Sequence, residues 1–192
     1  MLRISQNEPS GRPEANTLAH VPSRRIMWII PLITGVLLST LSACAGGVGG
    51  DEGGIAVPDE GKSHVPVGTP IQYQNYPPTS GTHYDQVVRY GVYEEDISEG
   101  YWVHNLEHGA VVIVYNCPGG CPETVSQLKE AFKAFPPGKY GQVKIVALPY
   151  SKMKAKIAVL SWGWKLELAS FDSQKVLAFY KAHVDRGPED AP

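Results

Sequence analysis

The stretch Tyr101-Trp102-Val103-His104-Asn105-Leu106-Glu107-His108-Gly109-Ala110-Val111-Val112-Ile113-Val114-Tyr115 decides how the rest of the chain is read. Its second half, Ala110 to Tyr115, is an unbroken apolar run rich in β-branched side chains. Such a run has no polar face, so it predicts a strand covered on both sides. Downstream, Pro122 suits a first helical turn, and Val125, Leu128, Phe132 and Phe135 follow at helical spacing until Pro136-Pro137-Gly138 stops the helix. Val143 to Leu148 reads as a second strand ended by Pro149. Ile157 to Trp164 and Leu166 to Ala169 read as further strands with a bend at Gly163. Asp172 caps a last helix carrying Val176, Phe179, Tyr180, His183 and Val184 on its apolar side. The predicted class is mixed α/β (α+β), with a β-α-β-β-(β)-α core. The first βαβ should be parallel and the later strands antiparallel. That order is shared by a thioredoxin-like core lacking one connecting helix and by other mixed α/β sandwiches.

Working toward the N-terminus, residues 65–100 are rich in Pro, Gly and Tyr, and Pro66, Pro70, Pro77 and Pro78 rule out long helices. Short strands and ordered loops are expected there, with Val87 to Val92 strand-like. Residues 44–62 hold Gly46, Gly47, Gly49, Gly50, Gly53, Gly54 and Gly61 and read as a flexible tether. Before them, Arg24-Arg25 precedes the apolar run Ile26 to Leu38, too short and interrupted for a comfortable membrane span. Leu41-Ser42-Ala43-Cys44 then resembles the lipobox of bacterial lipoproteins, in which the Cys is lipidated and becomes the mature N-terminus. Residues 1–43 are therefore read as a signal peptide, Cys44 as the lipidation site, and 63–190 as one globular domain. The expected location is the extracytoplasmic face of a bacterial membrane, held by lipid. Ser23-Arg24-Arg25 also loosely resembles a twin-arginine signal.

Of the chain's 17 basic and 19 acidic residues, four Arg (3, 12, 24, 25) and two Glu (8, 14) precede residue 44, leaving 13 basic and 17 acidic, a net of −4. That balance argues against nucleic acid as a partner. No protein partner is legible.

The chemistry-bearing residues crowd the first half of the opening stretch. His104, Glu107 and His108 fall within five positions, and His83 lies about twenty residues earlier. Imidazole is the commonest protein metal ligand and the usual acid/base near neutral pH. On a strand, His104 and His108 would stand roughly 13 Å apart, too far to share an ion. On a helical turn or short helix over 103–108 they could converge, and Asn105 and Gly109 suit it. The string His104-x-x-Glu107-His108 also matches the inverted zincin pattern. A peptidase of that type needs a long helix and a third ligand from another, and a strand begins here within two residues. The alternative is a buried hydrogen-bond network of satisfied histidines.

Cys117 and Cys121 are the remaining thiols once Cys44 is assigned to lipid. In an oxidising compartment they are most simply a disulfide. Cys117-Pro118-Gly119-Gly120-Cys121-Pro122 also resembles the C-x-x-x-C-P signature of the Sco copper chaperones, in which two thiolates and a distant His bind copper. Met153 is a soft ligand if the metal is copper. No nucleophile–base pair is identifiable from spacing, which leans away from an enzyme.

Several blocks follow one another in order: Tyr76-Pro77-Pro78-Thr79-Ser80-Gly81-Thr82-His83, Val103 to Gly109, Pro149-Tyr150 with Met153, Leu160-Ser161-Trp162-Gly163, Phe171-Asp172 and Gly187-Pro188-Glu189. Together they resemble domain-of-unknown-function family 3105, bacterial proteins usually carrying an N-terminal membrane anchor. Thr82 stands where the family pattern would place Pro, and the two cysteines are not among its hallmarks. The resemblance implies no activity, but it places His83, His104, Glu107 and His108 in defining blocks. Three readings follow. The leading one is an extracytoplasmic domain binding copper or zinc through His83, His104 and His108, with Glu107 beside them or as a fourth ligand. The others are an envelope interaction module with structural histidines, and a thiol-redox or copper-delivery protein using Cys117 and Cys121.

Overall fold

A computed structural model describes residues 53–192. The segments read as a signal peptide, as a lipobox with Cys44, and as a tether up to residue 52 lie outside the described residues. Among the described residues no helix is long and apolar enough to cross a membrane.

The strand read at Ala110–Tyr115 is β5 (Val111–Tyr115), buried throughout, at the centre of a six-stranded mixed sheet. The earlier elements are β1 (Ile55–Ala56), β2 (His64–Val65), β3 (His83–Tyr84), β4 (Gly91–Val92) and helix α1 (Glu99–Glu107). The later ones are α2 (Pro122–Ala134), β6 (Ile145–Pro149), β7 (Ile157–Ser161), β8 (Trp164–Leu168) and α3 (Ser173–His183). The sheet order is β1-β8-β7-β5-β6-β4. β5 runs parallel to β6 and antiparallel to β7, as the β-α-β-β pattern predicts. The order β6-β5-β7-β8 is the one a thioredoxin-like core would show, a likeness of strand order alone.

Period-two alternation sends the strand side chains to two separate cores. Val111, Ile113 and Tyr115 pack with α2 and α3, where Val125, Leu128, Val176 and Phe179 meet them. Val112 and Val114 face the other way, against Trp102, Val103 and Leu106 of α1. Both faces of β5 are thus covered, which is why its sequence shows no alternation. The last helix is capped as read: the Asp172 side chain accepts from the backbone N–H of Gln174 and Lys175, at 3.1 Å each.

The condition set for residues 103–108 is met by a short helix, which begins at Glu99 and runs nine residues. Gly100 makes it possible, because a Cβ there would stand 2.7 Å from the Tyr84 ring. Asn105, read as a turn former, sits inside this helix, and its side chain bonds both the N–H and the C=O of Val88, at 2.9 and 2.8 Å. Its amide substitutes for a strand partner, so only Gly91–Val92 of the expected 87–92 strand pairs with the sheet, alongside β6.

The glycine-rich segment is also not tether throughout. Ile55–Ala56 adds an edge strand to β8, and Val57 N–H donates to Gly163 O at 2.8 Å. Further on, Glu60 anchors a loop through its carboxylate, which accepts from the N–H of Gln74 and Asn75 and from the Asn75 amide. Glycine content signalled backbone freedom here, and backbone pairing took it up: Gly54 fits against Lys165 O and the Phe179 ring where no Cβ could.

Candidate metal centre

Three segments converge at one end of the sheet. The first is β2, whose parallel pairing with β3 puts His64 in register with His83. Neighbouring parallel strands lie ~4.8 Å apart, so registered side chains on the same face touch. The second is β3 itself, fixed by Gly81 N–H to Gly61 O at 2.7 Å and His83 N–H to Ser63 O at 2.9 Å. The third is the C-terminal half of α1, carrying His104 and Glu107 three positions apart on one helical face.

The polar tips meet closely. His83 Nε2 lies 2.9 Å from Glu107 Oε2 and 3.2 Å from His64 Nε2. His64 Nε2 is 3.5 Å from His104 Nε2 and 3.4 Å from Glu107 Oε2. The four ligand-type atoms all fall within 4.8 Å of one another. His83 is fully buried and Glu107 is 2% exposed, whereas the His64 side chain is 41% exposed.

The far sides of two rings fix what the near sides offer. His83 Nδ1–H donates to Gly81 O at 2.8 Å, and His104 Nδ1–H donates to Tyr84 O at 2.8 Å. A carbonyl can only accept, so each Nδ1 carries a proton, and in the neutral, metal-binding form of the ring Nε2 is the nitrogen with the lone pair. In that form two imidazole lone pairs, the Nε2 of His64 and a carboxylate oxygen face one another. Lone pairs at about 3 Å without intervening protons repel. A cation at the centre converts that repulsion into binding. The backbone-carbonyl partner behind a ligating His is the usual outer support of a metal site.

The spacing also fits. Four ligands in a tetrahedron at Zn–N and Zn–O distances of ~2.0–2.1 Å stand about 3.3–3.4 Å apart along each edge. Four of the six edges, at 2.9, 3.2, 3.4 and 3.5 Å, scatter around that value, and all six lie within 4.8 Å.

His108 stands one helical turn beyond His104, with ring centroids 4.5 Å apart. Its Nε2 faces Glu189 Oε2 at 3.6 Å, and His104, His108 and Glu189 form a second group of converging ligand atoms. Burial holds the His104 imidazole below its ordinary pKa of 6.5, with His108, His83 and His64 adding to the effect. The His108 imidazole is likewise lowered, mainly by burial, against the opposing pull of Glu189 and Glu107. Both rings are thus biased to the neutral, metal-binding form.

The segment after α3 closes over this end of α1. Asp185 N–H donates to Gly109 O at 2.8 Å, and Glu189 N–H donates to Glu107 O at 3.0 Å. Gly109 adopts φ 77°, the left-handed turn that ends α1, with the Asp185 backbone packed where its Cβ would be. Buried Lys144 ties the segment down, with Nζ donating to His108 O at 2.9 Å and Ala191 O at 2.6 Å and pairing with Asp185 at 3.0 Å.

Of the residues singled out from the sequence, His83, His104 and Glu107 come together directly, and His108 borders them through His104. Met153 lies in the apolar cluster with Trp102, Leu148 and Tyr150, and its backbone O accepts from Asn116. Cys117 and Cys121 are disulfide-bonded, and Cys121 is the N-cap of α2. They follow β5, while His104 and Glu107 precede it. The five residues of β5 span about 17 Å, so one ion cannot join the thiols to the histidines as in a Sco-type site. The zincin-like string is divided as well, because Glu107 turns to His83 and His64 while His108 turns to Glu189.

His64 and Glu189 escaped the sequence reading. His64 sits alone beside Val65-Pro66, and only the pairing of β2 with β3 shows its place. Glu189 carries no local signal beyond its Gly187-Pro188 neighbours. No curated protein matches the chain, and no solved structure does. Residues 64–192, from the first ligand-type histidine through the closing segment, match the family described as protein of unknown function (DUF3105), and the chain belongs to that family.

Proposed function

We propose that this protein is an extracytoplasmic metal-binding domain, lipid-anchored at Cys44, that holds one transition-metal ion through His64, His83, His104 and Glu107. The supporting observation is the convergence of three Nε2 atoms and a buried carboxylate, with the opposite nitrogens of His83 and His104 committed to backbone carbonyls. A donor set of three imidazoles and one carboxylate suits zinc better than Cu(I), which prefers sulfur ligands. Four protein ligands leave no open coordination position, so the site is built to hold an ion rather than to activate a bound water.

The test is elemental analysis of the mature domain purified without added metal, followed by titration of the stripped protein with Zn²⁺ and Co²⁺. One ion per chain and the visible absorption of tetrahedral Co²⁺ are expected. A domain that carries no stoichiometric metal and takes up none overturns the proposal. The anchor is tested separately, by intact-mass analysis of membrane-extracted protein: a mature chain beginning at Cys44 with a diacylglycerol adduct is expected, and an unmodified Cys44 refutes it.

A further inference from the structure

The two ligand groups share one imidazole. His104 belongs to the buried set with His64, His83 and Glu107, and also to the set with His108 and Glu189. It has a single nitrogen to give, because Nδ1 is held by Tyr84 O at 2.8 Å and Nε2 alone is left. Both sets therefore cannot be complete at once. They are two positions for one ion, with His104 common to both.

Resting on the metal reading above, we propose that His108 and Glu189 are an entry station for that ion. A divalent transition-metal ion binds first to His104, His108 and Glu189. It then exchanges His108 and Glu189 for His64, His83 and Glu107 while keeping its bond to His104. His108 leaves as a neutral imidazole and Glu189 as a carboxylate, so the exchange needs no proton, electron or co-reactant.

Exposure runs the right way for such a path. The Glu189 side chain is 49% exposed and that of His108 is 16% exposed, whereas His83 and Glu107 are sealed, and His64, 41% exposed, is the one member of the inner set that also reaches solvent. The step is short, since the His104 and His108 rings are 4.5 Å apart on successive turns of α1. The station is also held in place. Glu189 is fixed by its own N–H on Glu107 O, so the carboxylate at the surface and the carboxylate in the buried set are tied through one backbone bond. A stepwise hand-over spares the ion from losing its whole hydration shell before it meets buried ligands, a loss that is costly for any ion.

The test uses Glu189→Gln and His108→Gln in the full mature domain, with stopped-flow measurement of Zn²⁺ uptake and of release to a chelator. Uptake and release should slow by the same factor, because losing a way-station changes the path and not its end states. The equilibrium Kd should stay essentially unchanged, because neither residue ligates the final site. The slowing should persist at ~1 M salt, where the Debye length is about 3 Å and simple steering by the Glu189 charge is screened. Unchanged rates, a slowing that disappears with salt, a changed Kd at constant uptake, or two tightly bound ions per wild-type chain would each overturn the station. Wild-type protein that binds neither Zn²⁺ nor Co²⁺ would instead overturn the metal site itself, and the station with it.

Discussion

His64→Gln separates a metal ligand from a structural histidine. His64 is the one exposed member of the buried set, and its contacts are with two histidine Nε2 atoms and one carboxylate oxygen. Without an ion these contacts add little, so in chelator the variant should lie within about 0.5 kcal/mol of wild type, the usual range for exposed positions. With ion the effect is large. At free Zn²⁺ one hundredfold above Kd, binding stabilises the wild-type fold by about 2.7 kcal/mol. If losing one of four ligands weakens binding about a hundredfold, the same Zn²⁺ gives the variant only about 0.4 kcal/mol. The difference, about 2.3 kcal/mol, corresponds to a Tm lower by about 5–9 °C in a domain of this size. Differential scanning calorimetry of both proteins, in EDTA and in buffered Zn²⁺, measures the four values. An equal Zn²⁺-dependent rise in Tm for the two proteins refutes the ligand role. A Tm drop of more than about 5 °C already present in EDTA shows that His64 is structural, since it corresponds to well over 1 kcal/mol.

Further outcomes follow from neighbouring contacts. His83→Gln removes one of the converging Nε2 atoms beside Glu107, so it should abolish the Zn²⁺-dependent rise in stability measured by urea unfolding, and an undiminished rise refutes its role as a ligand. His104 and His108 have folded pKa values below the ordinary imidazole value of 6.5. The unfolded chain therefore binds more protons below about pH 6.5, and metal-free stability should fall as pH drops from 7 toward 5; unfolding midpoints at several pH values check the sign, and a rise in stability on acidification refutes it. Gly187→Ala sets a Cβ against Glu107 O and Gly109 N, which should lift the closing segment, lower Tm and raise amide exchange across 185–191, read by hydrogen-exchange mass spectrometry. Replacing Cys117 and Cys121 by Ser opens a small loop; loop-closure entropy sets the loss at up to about 2 kcal/mol, while Zn²⁺ affinity should not change because the disulfide lies at the far end of β5.

The central architecture was legible because it is written in local periodicity. The apolar run 110–115, the helical spacing after Pro122, the strand before Pro149 and the Asp172 cap each announce an element without reference to the rest of the chain. The cluster was partly legible for the same reason. His104 and Glu107 are three apart, so a helix brings them together, and only the helix had to be found. It was obscured because α1 is short and has no strong apolar periodicity of its own. Its stability comes from burying Trp102, Val103 and Leu106 against β5, and from Gly100 admitting the Tyr84 ring, both tertiary effects.

The sequence by itself determined the element types, the mixed sheet and a concentration of imidazole and carboxylate beside a buried strand, since these depend on residues close along the chain. The tertiary structure alone decided which groups share a centre. His64 joins His83 because two short segments pair in parallel, and Glu189 reaches His108 because the chain after α3 returns to bond Glu107. Met153 packs in the apolar cluster beneath α1, and the thiols are held apart from the histidines by the length of one strand. Ligand convergence is a property of distance in space. Residues far apart in sequence acquire that distance only through strand register and chain return, which local composition does not encode.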